Sequence, residues 1–501
     1  MKTIVILYES GSKYAKEQAF SQKSACEITY EWAKAFASDD DIVKIHASSN
    51  VAQLLEEMNC ISLQKKADNI IFSFDDLPFI NNKLTQMLLE QHLKYHAEYS
   101  FSDGYPSGFA PEIINAGCLS IMSSLALSNF KEAGQKSVSR SVIYDFIKND
   151  INSFEVETLI APQDWRLLRF EFNAGSKRNF LSSCALEKAV EKEGLDFSDV
   201  DKLSQLAAAS VEVLKSLPAF YEIQICNAFS SSIYNPMKNG KLKTDEKMSY
   251  ENFCKLVDEI SAFSEDCVIS LSAYAEPFYH PDLVKMAQYV LQKTEISLFL
   301  ETNALNLREE DCRLLKESLE NAPGSKINQY QKLMIAVKVD AFSQAGYKNI
   351  YEKACDGDYQ KLLNNISLLE KYLPGCVYPQ FTRMNENEAE LEAFYRFWNE
   401  KTSPTGGNFI IQKYDSLAGL LPDRKPADLS PVERYSCWHI RRDMVILPDG
   451  SVPCCKACIF EKPLGNVFSE GLEAVWHKND CFLEKISEKC GKCDEFYTFN
   501  F

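Results

Sequence analysis

Cys437-Trp-His-Ile-Arg-Arg-Asp-Met-Val-Ile-Leu-Pro-Asp-Gly450-Ser-Val-Pro-Cys454-Cys455, followed later by Cys490-Gly-Lys-Cys493, is the stretch in which this chain concentrates its chemistry. Twelve residues separate Cys437 from Gly450, and four separate Gly450 from Cys455. Arg442 to Leu447 reads as a strand, Pro448-Asp449-Gly450 as a tight turn and Ser451-Val452-Pro453 as the return, a hairpin that presents Cys455 near Cys437. The CxxC turn at Cys490 lets two more sulfurs reach one centre, so Cys437, Cys455, Cys490 and Cys493 supply four thiolates from three segments to one metal site.

Seven of the 17 cysteines crowd into the last 65 residues (437, 454, 455, 458, 481, 490 and 493), and the other ten are scattered singly. The apolar stretch Ile4 to Leu7 is too short for a signal peptide and no later run approaches a membrane span, which predicts a soluble, reducing, cytoplasmic setting. There a cysteine cluster points to metal or catalysis rather than to disulfides. Spacing alone does not separate a zinc knuckle from an iron-sulfur site. Cys454 is the alternative to Cys455, and Cys458 and Cys481 are read as spare ligands or packing. Phe496, Tyr497, Phe499 and Phe501 are placed to shield the centre from water or simply to pack.

The chain has 501 residues, with 54 Lys and Arg against 71 Asp and Glu, and so a net charge of −17. That length predicts about three domains, and 46% hydrophobic with 25% charged residues is an ordinary globular balance. The acidic excess argues against nucleic acid as a partner, since phosphate backbones need a basic face. Glycine numbers only 19, where average usage would give about 35. Loops that wrap phosphates with backbone N–H groups need glycine, so the shortage counts against an intact nucleotide loop.

Working outward, residues 1–180 alternate short apolar runs (Thr3 to Leu7, Asn69 to Phe74) with helical patterns (Ala25 to Phe36, and the Leu84, Met87, Leu88 stripe), which predicts an open α/β sheet. A helical linker is expected over 181–217. Five strand candidates follow, at Tyr221–Cys226, Cys267–Leu271, Ile296–Glu301, Leu333–Val339 and Val377–Phe381, separated by helices; these βα units predict part of a parallel barrel over 218–430. A polar, proline-bearing stretch from Leu420 to Pro431 marks the boundary to a small Cys-rich domain at 431–501.

The tail, with Asp449-Gly450, Cys454-Cys455, Leu464-Gly465-Asn466-Val467 and Glu473-Ala474-Val475-Trp476, resembles a SPASM domain, the auxiliary-cluster extension of radical SAM enzymes. The resemblance implies a [4Fe-4S] cluster, and one rather than the two of longer SPASM domains. The region before it resembles a radical SAM barrel in outline: Tyr221 to Asn227, then Ser270-Leu-Ser-Ala-Tyr-Ala275-Glu276-Pro277, Glu301-Thr302-Asn303 and Val337-Lys338-Val339-Asp340. Against the CxxxCxxC of that family, the chain keeps Cys226 but has Ser230 and Ile233 at the other two positions. Tyr274-Ala275 stands in place of Gly-Gly and would crowd the methionine end of S-adenosylmethionine. Radical chemistry with that cofactor is therefore not expected, and Glu276, the residue matching the family's cofactor-binding glutamate, is equally readable as a cap.

The N-terminal region, with Asp75-Asp76-Leu77-Pro78, Gly104 to Glu112 and Trp165 to Phe170, resembles the GT-A-like cytidylyltransferases that activate acidic sugars. That family holds Mg²⁺ and CTP with two aspartates. Asp76 matches the first, Asn173 stands at the second, and of the phosphate loop only Gly11, Ser12 and Lys13 match, with Glu9 repelling phosphate. Asp75-Asp76 also reads as an N-cap before the Leu84 helix. The whole chain resembles the spiro-SPASM family. The primary expectation is an iron-sulfur protein whose degenerate barrel is a scaffold for binding or electron transfer to a protein, peptide or glycoconjugate partner. The rivals are a nucleotide-sugar transferase using Asp76 and Lys13, and a zinc-stabilised interaction module.

Overall fold

A computed structural model of the chain describes all residues except 47–49, 130–137, 240–241, 243–244, 324–330, 429–435, 481–487 and 495–501. Cys481 and the aromatic residues 496, 497, 499 and 501 lie outside the described residues. The chain divides into two compact units, Met1–Ser216 and Leu217–Phe501.

The apolar run at the N-terminus is buried on both of its faces, which is what a central strand between two layers of helices requires. Ile4, Ile6 and Tyr8 pack into one core and Val5 and Leu7 into another, the alternation expected of a strand. In this unit β1 (Thr3–Tyr8), β2 (Ile42–Ile45), β3 (Asn69–Phe74), β4 (Tyr99–Asp103), β5 (Glu112–Asn115) and β6 (Val156–Ile160) form one sheet in the order β2-β1-β3-β5-β4-β6. All pairs are parallel except those of β5, which runs against both β3 and β4. This is the open α/β sheet predicted. The helix Asn82–Tyr95 starts at Asn81, whose side chain accepts the Leu84 amide at 3.0 Å; Asp75 and Asp76, read above as an N-cap, are used elsewhere. Residues 181–217 are helical, and the helices Lys177–Glu193, Val200–Ala209 and Val211–Leu214 fold into the first unit, tied by Ser182 to Val213 O and by Ser216 to Arg178 O.

Seven strands make the second unit's sheet: β7 (Phe220–Ile223), β8 (Cys267–Ser270), β9 (Ile296–Thr302), β10 (Leu333–Lys338), β11 (Val377–Arg383), β12 (Ile410–Lys413) and β13 (Asp443–Ile446). They lie in the order β12-β11-β10-β9-β8-β7-β13, every neighbour parallel. The steady sequential order with connecting helices is that of a curled partial barrel. Its strand ends point their loops to one mouth.

The hairpin expected around Gly450 is only half correct. The turn forms, with Gly450 N bonded to Leu447 O at 2.9 Å and Gly450 at φ +84°, where a Cβ would lie 2.3 Å from the Phe468 ring. The outgoing strand, however, pairs with β7 as an edge strand of the barrel sheet, where its Met444, Val445 and Ile446 are all buried. The return, β14 (Ser451–Val452), pairs with β15 (Gly465–Asn466) instead. The tail is clamped at its far end by Asp494, which accepts Ser416 N at 3.0 Å and Lys425 Nζ at 2.6 Å.

A buried histidine makes the first unit acid-sensitive. His92 lies between Ser100 Oγ (2.8 Å from Nδ1) and Asn69 Oδ1 (3.2 Å from Nε2), so Nε2 donates and Nδ1 accepts in a neutral ring. Burial holds its pKa down to about 4. An unfolded chain takes up that proton near pH 6.5 while the folded one does not until about pH 4. Stability is therefore full above about pH 6.5 and falls as pH drops toward 4, by about 2 kcal/mol at pH 5. Hydrogen exchange over β3 and β4 is expected to show that loss between pH 7 and 5 in the wild type, and a much flatter profile in His92→Gln.

Candidate functional site

Cys437 is an electrostatic neighbour of both Cys490 and Cys455. It stands at the N-cap of the helix Trp438–Arg442, and the nearby backbone N–H groups of His439 and Ile440 favour its thiolate. Cys455 in turn also feels Cys454 and Cys458. Cys490 and Cys493 bracket a tight turn, with Cys493 N on Cys490 O at 3.1 Å. Buried charge lies along the helix that follows Cys437. Arg441 and Arg442 stack on the Trp438 ring at 5.3 and 5.5 Å, and Asp443 is held between Arg442 Nε and His439 Nδ1, each at 2.5 Å. Burial opposes ionisation of Asp443, but those two cations keep its carboxyl well below the usual range.

Such a donor set fits a thiolate-ligated cluster, whose net negative charge needs buried cations and amide donors nearby. Burial pushes the Cys437 thiol up to about 11, and the hydrogen bond from Cys455 to Cys458, then burial, raises Cys455 as well. Both thiols must shed protons to ligate, so binding is coupled to proton release. Among the described residues no three His, Cys, Asp or Glu side chains already stand in metal-holding geometry. One pair escaped the sequence reading. Cys455-Lys-Ala-Cys458 is itself a CxxC, and its sulfurs lie 3.7 Å apart; its spacing was the signal.

At the barrel mouth the loop after β7 is held by hydrogen bonds to the barrel. Cys226 is fully buried, with its thiol 3.5 Å from Glu276 O. Ile233 N donates to Ile350 O at 2.9 Å, Tyr234 donates to Asp340 Oδ2 at 2.6 Å, and Asn235 Nδ2 donates to Tyr274 O at 2.9 Å. Asp340 also accepts Tyr351 and the Thr382 amide, each at 2.6 Å. Glu276 turns inward. Its carboxylate accepts Thr302 Oγ1 (2.6 Å), Asn303 N (2.8 Å) and Phe278 N (3.2 Å), and burial raises its pKa. Beside this loop is a solvent-open cleft of about 710 Å³, lined among others by Tyr234, Tyr274, Glu301, Lys338 and Lys456. Burial would raise the Glu301 carboxyl, but its ion pair with Lys338 and the nearby Lys456 hold it low. Lys456 pairs with the buried Glu222 at 2.7 Å, so the residue next to Cys455 forms part of the cleft wall.

In the first unit Asp76 is fully buried and bound by Arg140 through both guanidinium nitrogens, at 2.9 and 2.5 Å. Arg140 also lies 4.9 Å over the Phe74 ring. A Cβ on Gly175 would meet its NH2 at 2.1 Å, so the glycine makes room for the guanidinium. Asn173 Oδ1 is 3.1 Å from that same Cβ position and accepts Gly175 N at 2.9 Å. The guanidinium thus stands against Asp76, beside Asn173, the two positions that the cytidylyltransferase resemblance matches to the family's metal-holding aspartates. Lys13 is exposed, 4.8 Å over the Tyr14 ring, and Glu9 faces His46. Asp75 is not a helix cap: it accepts Ser10 N at 2.9 Å and the Cys26 thiol at 3.3 Å.

Residues 437–494 match the model of the SPASM family, an iron-sulfur cluster-binding domain. An uncharacterised protein of Treponema pallidum is 37% identical over 374 residues, covering 72% of this chain and 99% of the relative. The spore coat polysaccharide biosynthesis protein SpsF of Bacillus subtilis is 22% identical over 194 residues, 37% of this chain and 77% of its own. Among solved structures, Streptococcus suis SuiB bound to its precursor peptide SuiA overlaps 75% of this chain and 84% of its own at 11% identity and TM-score 0.42. A cytidylyltransferase from Leptospira borgpetersenii overlaps 41% and 94% at 13% identity and TM-score 0.33. No helix among the described residues is long and apolar enough to cross a membrane.

The Asp76–Arg140 pair carries its own test. Arg140→Ala leaves a buried carboxylate without a cation and is expected to cost the first unit about 3–5 kcal/mol. Asp76→Asn combined with Arg140→Ala recovers most of that loss, as measured by hydrogen exchange in a double-mutant cycle.

Proposed function

Because this chain carries a SPASM domain and shares a family with the Treponema pallidum protein that it spans almost end to end, we propose that it is an iron-sulfur protein of the spiro-SPASM type whose barrel serves as a scaffold rather than as a radical enzyme. The cluster we assign is a single [4Fe-4S] centre held by Cys437, Cys455, Cys490 and Cys493, with Cys454 as the neighbour that does not ligate. The proposed division of the chain is a nucleotidyltransferase-like scaffold at 1–180, helices at 181–217, the barrel at 218–430 and the cluster domain at 431–501. The partner class is a protein, peptide or glycoconjugate; SuiB, described above, is bound to a precursor peptide.

One observation carries the reading. The loop that would have to offer three thiolates is instead anchored by Tyr234 on Asp340, Asn235 on Tyr274 O and Ile233 on Ile350 O, with the fully buried Cys226 against Glu276 O. Its polar groups are spent on the barrel itself. Ile233 has no ligating atom, and Tyr274 fills space where the cofactor's methionine end needs glycine. When bound, an iron-sulfur cluster supplies one-electron transfer. The chain's own contribution is to place the backbone N–H groups of His439 and Ile440 beside Cys437, which favour its thiolate against the opposing burial. Lys456 then links the cysteine segment to the cleft through Glu222 and the field at Glu301.

The same reasoning makes the first unit a scaffold. Arg140 neutralises Asp76 without Mg²⁺, and Asn173 brings no charge. Anaerobically purified protein is expected to contain about four iron and four sulfide per chain. Cys437→Ala should lose most of both, and Cys454→Ala should keep them. Zinc in place of iron, released 5′-deoxyadenosine on adding S-adenosylmethionine and reductant, or micromolar binding of CTP with Mg²⁺ would each contradict the proposal.

A further inference from the structure

Cys455 and Cys458 are held as a pair. Their sulfurs are 3.7 Å apart, and Cys458 N bonds back to Cys455 O at 3.0 Å, closing the turn between them. A disulfide needs about 2.05 Å between sulfurs, so small side-chain rotations close the gap with no movement of the turn. The two sulfurs stand in different surroundings. Cys455 packs with Leu417, Leu421 and Ala457 in a small apolar cluster. Cys458 has the Lys489 ammonium 4.0 Å from its sulfur, and the same ammonium is fixed by Ala457 O at 3.3 Å and by Glu461. The two sulfurs are thus chemically distinct, Cys458 beside a fixed cation and Cys455 in apolar packing.

We propose that Cys455 and Cys458 form a dithiol–disulfide couple in the cluster-free chain, reacting with low-molecular-weight disulfides, and that the oxidised form withholds Cys455 from the metal site. The Cys458 thiolate attacks one sulfur of the small disulfide, forming a mixed disulfide and expelling one thiolate. Cys455, its proton passing to solvent, then attacks Cys458 Sγ, forms the internal bond and expels the second thiolate. The protein pair loses two electrons and the small disulfide gains them, leaving two small thiols. Cluster loading thereby becomes conditional on a reducing thiol pool. This rests on the reading of Cys455 as a ligand, but the disulfide itself is detected without iron.

The full-length, cluster-free chain is treated with oxidised glutathione and mapped with trypsin without reduction. Cleavage after Lys456 separates the two cysteines, and Pro463 protects the bond after Lys462, so an internal disulfide appears as Asp443–Lys456 linked to Ala457–Lys478. That link should be the major product, persist in Cys454→Ser, and lower subsequent iron incorporation at least fivefold until a dithiol reductant restores it. Cys458→Ser should load iron like the wild type and keep doing so after the same treatment. Lys489→Met should slow the reaction several-fold. Stable glutathione adducts without the internal link, or a link from Cys455 to Cys437, Cys490 or Cys493, would overturn the proposal. Loss of iron in untreated Cys458→Ser equal to that in Cys455→Ser would overturn it too, by making Cys458 a ligand. Absence of iron from the untreated wild type, by contrast, counts against the cluster reading and leaves the mapped link to decide the couple.

Discussion

The parallel ladder between β13 and β7 is the contact on which the cysteine site depends. Asp443 to Ile446 register against Phe220 to Ile223, and the ladder is extended by Ala219 N on Arg442 O and Gln224 N on Ile446 O. Cys437 lies just before this strand and Cys455 just after the Gly450 turn that ends it. Burying Met444, Val445 and Ile446 in the barrel sheet therefore fixes where both sulfurs stand. Breaking the ladder would expose that apolar strand and scatter the ligands together, so the cluster domain and the barrel are one folding problem. Lys456 on Glu222 and Leu472 N on Glu259 Oε1 (2.7 Å) add polar ties between the same partners.

In both units a buried carboxylate is held by side chains of the chain itself. At the barrel mouth, two tyrosine hydroxyls and an amide satisfy Asp340, which sits at a strained φ of +56°. In the first unit a guanidinium satisfies Asp76. In each case a buried carboxylate persists because its partners persist, and removing either side alone would leave an uncompensated polar group. Residual acidic residues at such places are thus weak evidence for metal chemistry when their oxygens are already spent.

Much of the architecture was legible in the sequence for a simple reason. Continuous apolar runs such as Ile4–Leu7 and Asn69–Phe74 mark strands buried on both faces, and regular βα spacing marks a parallel sheet. The tail was legible from cysteine spacing around an obligatory glycine. What stayed hidden was long-range pairing. Arg140 lies 64 residues from Asp76 and has no local signature, and Tyr234 meets Asp340 across 106 residues. The partner of β13 was misread because a strand followed by Pro-Asp-Gly looks like a hairpin arm until both of its faces must be covered. The short edge strand β12 was missed because its Ile410-Ile-Gln-Lys413 is too brief and half-exposed to show a period. Cys455-Lys-Ala-Cys458 was visible and passed over, since the glycine-based spacing drew attention to Cys455 alone.

The central claim, one cluster held by the tail and none by the barrel, is tested most directly by electron paramagnetic resonance of anaerobically purified, dithionite-reduced protein. The account predicts a single [4Fe-4S]⁺ species integrating to about one spin per chain, with a spectrum that S-adenosylmethionine leaves unchanged. A second reduced species, or a signal that shifts when S-adenosylmethionine is added, would contradict it.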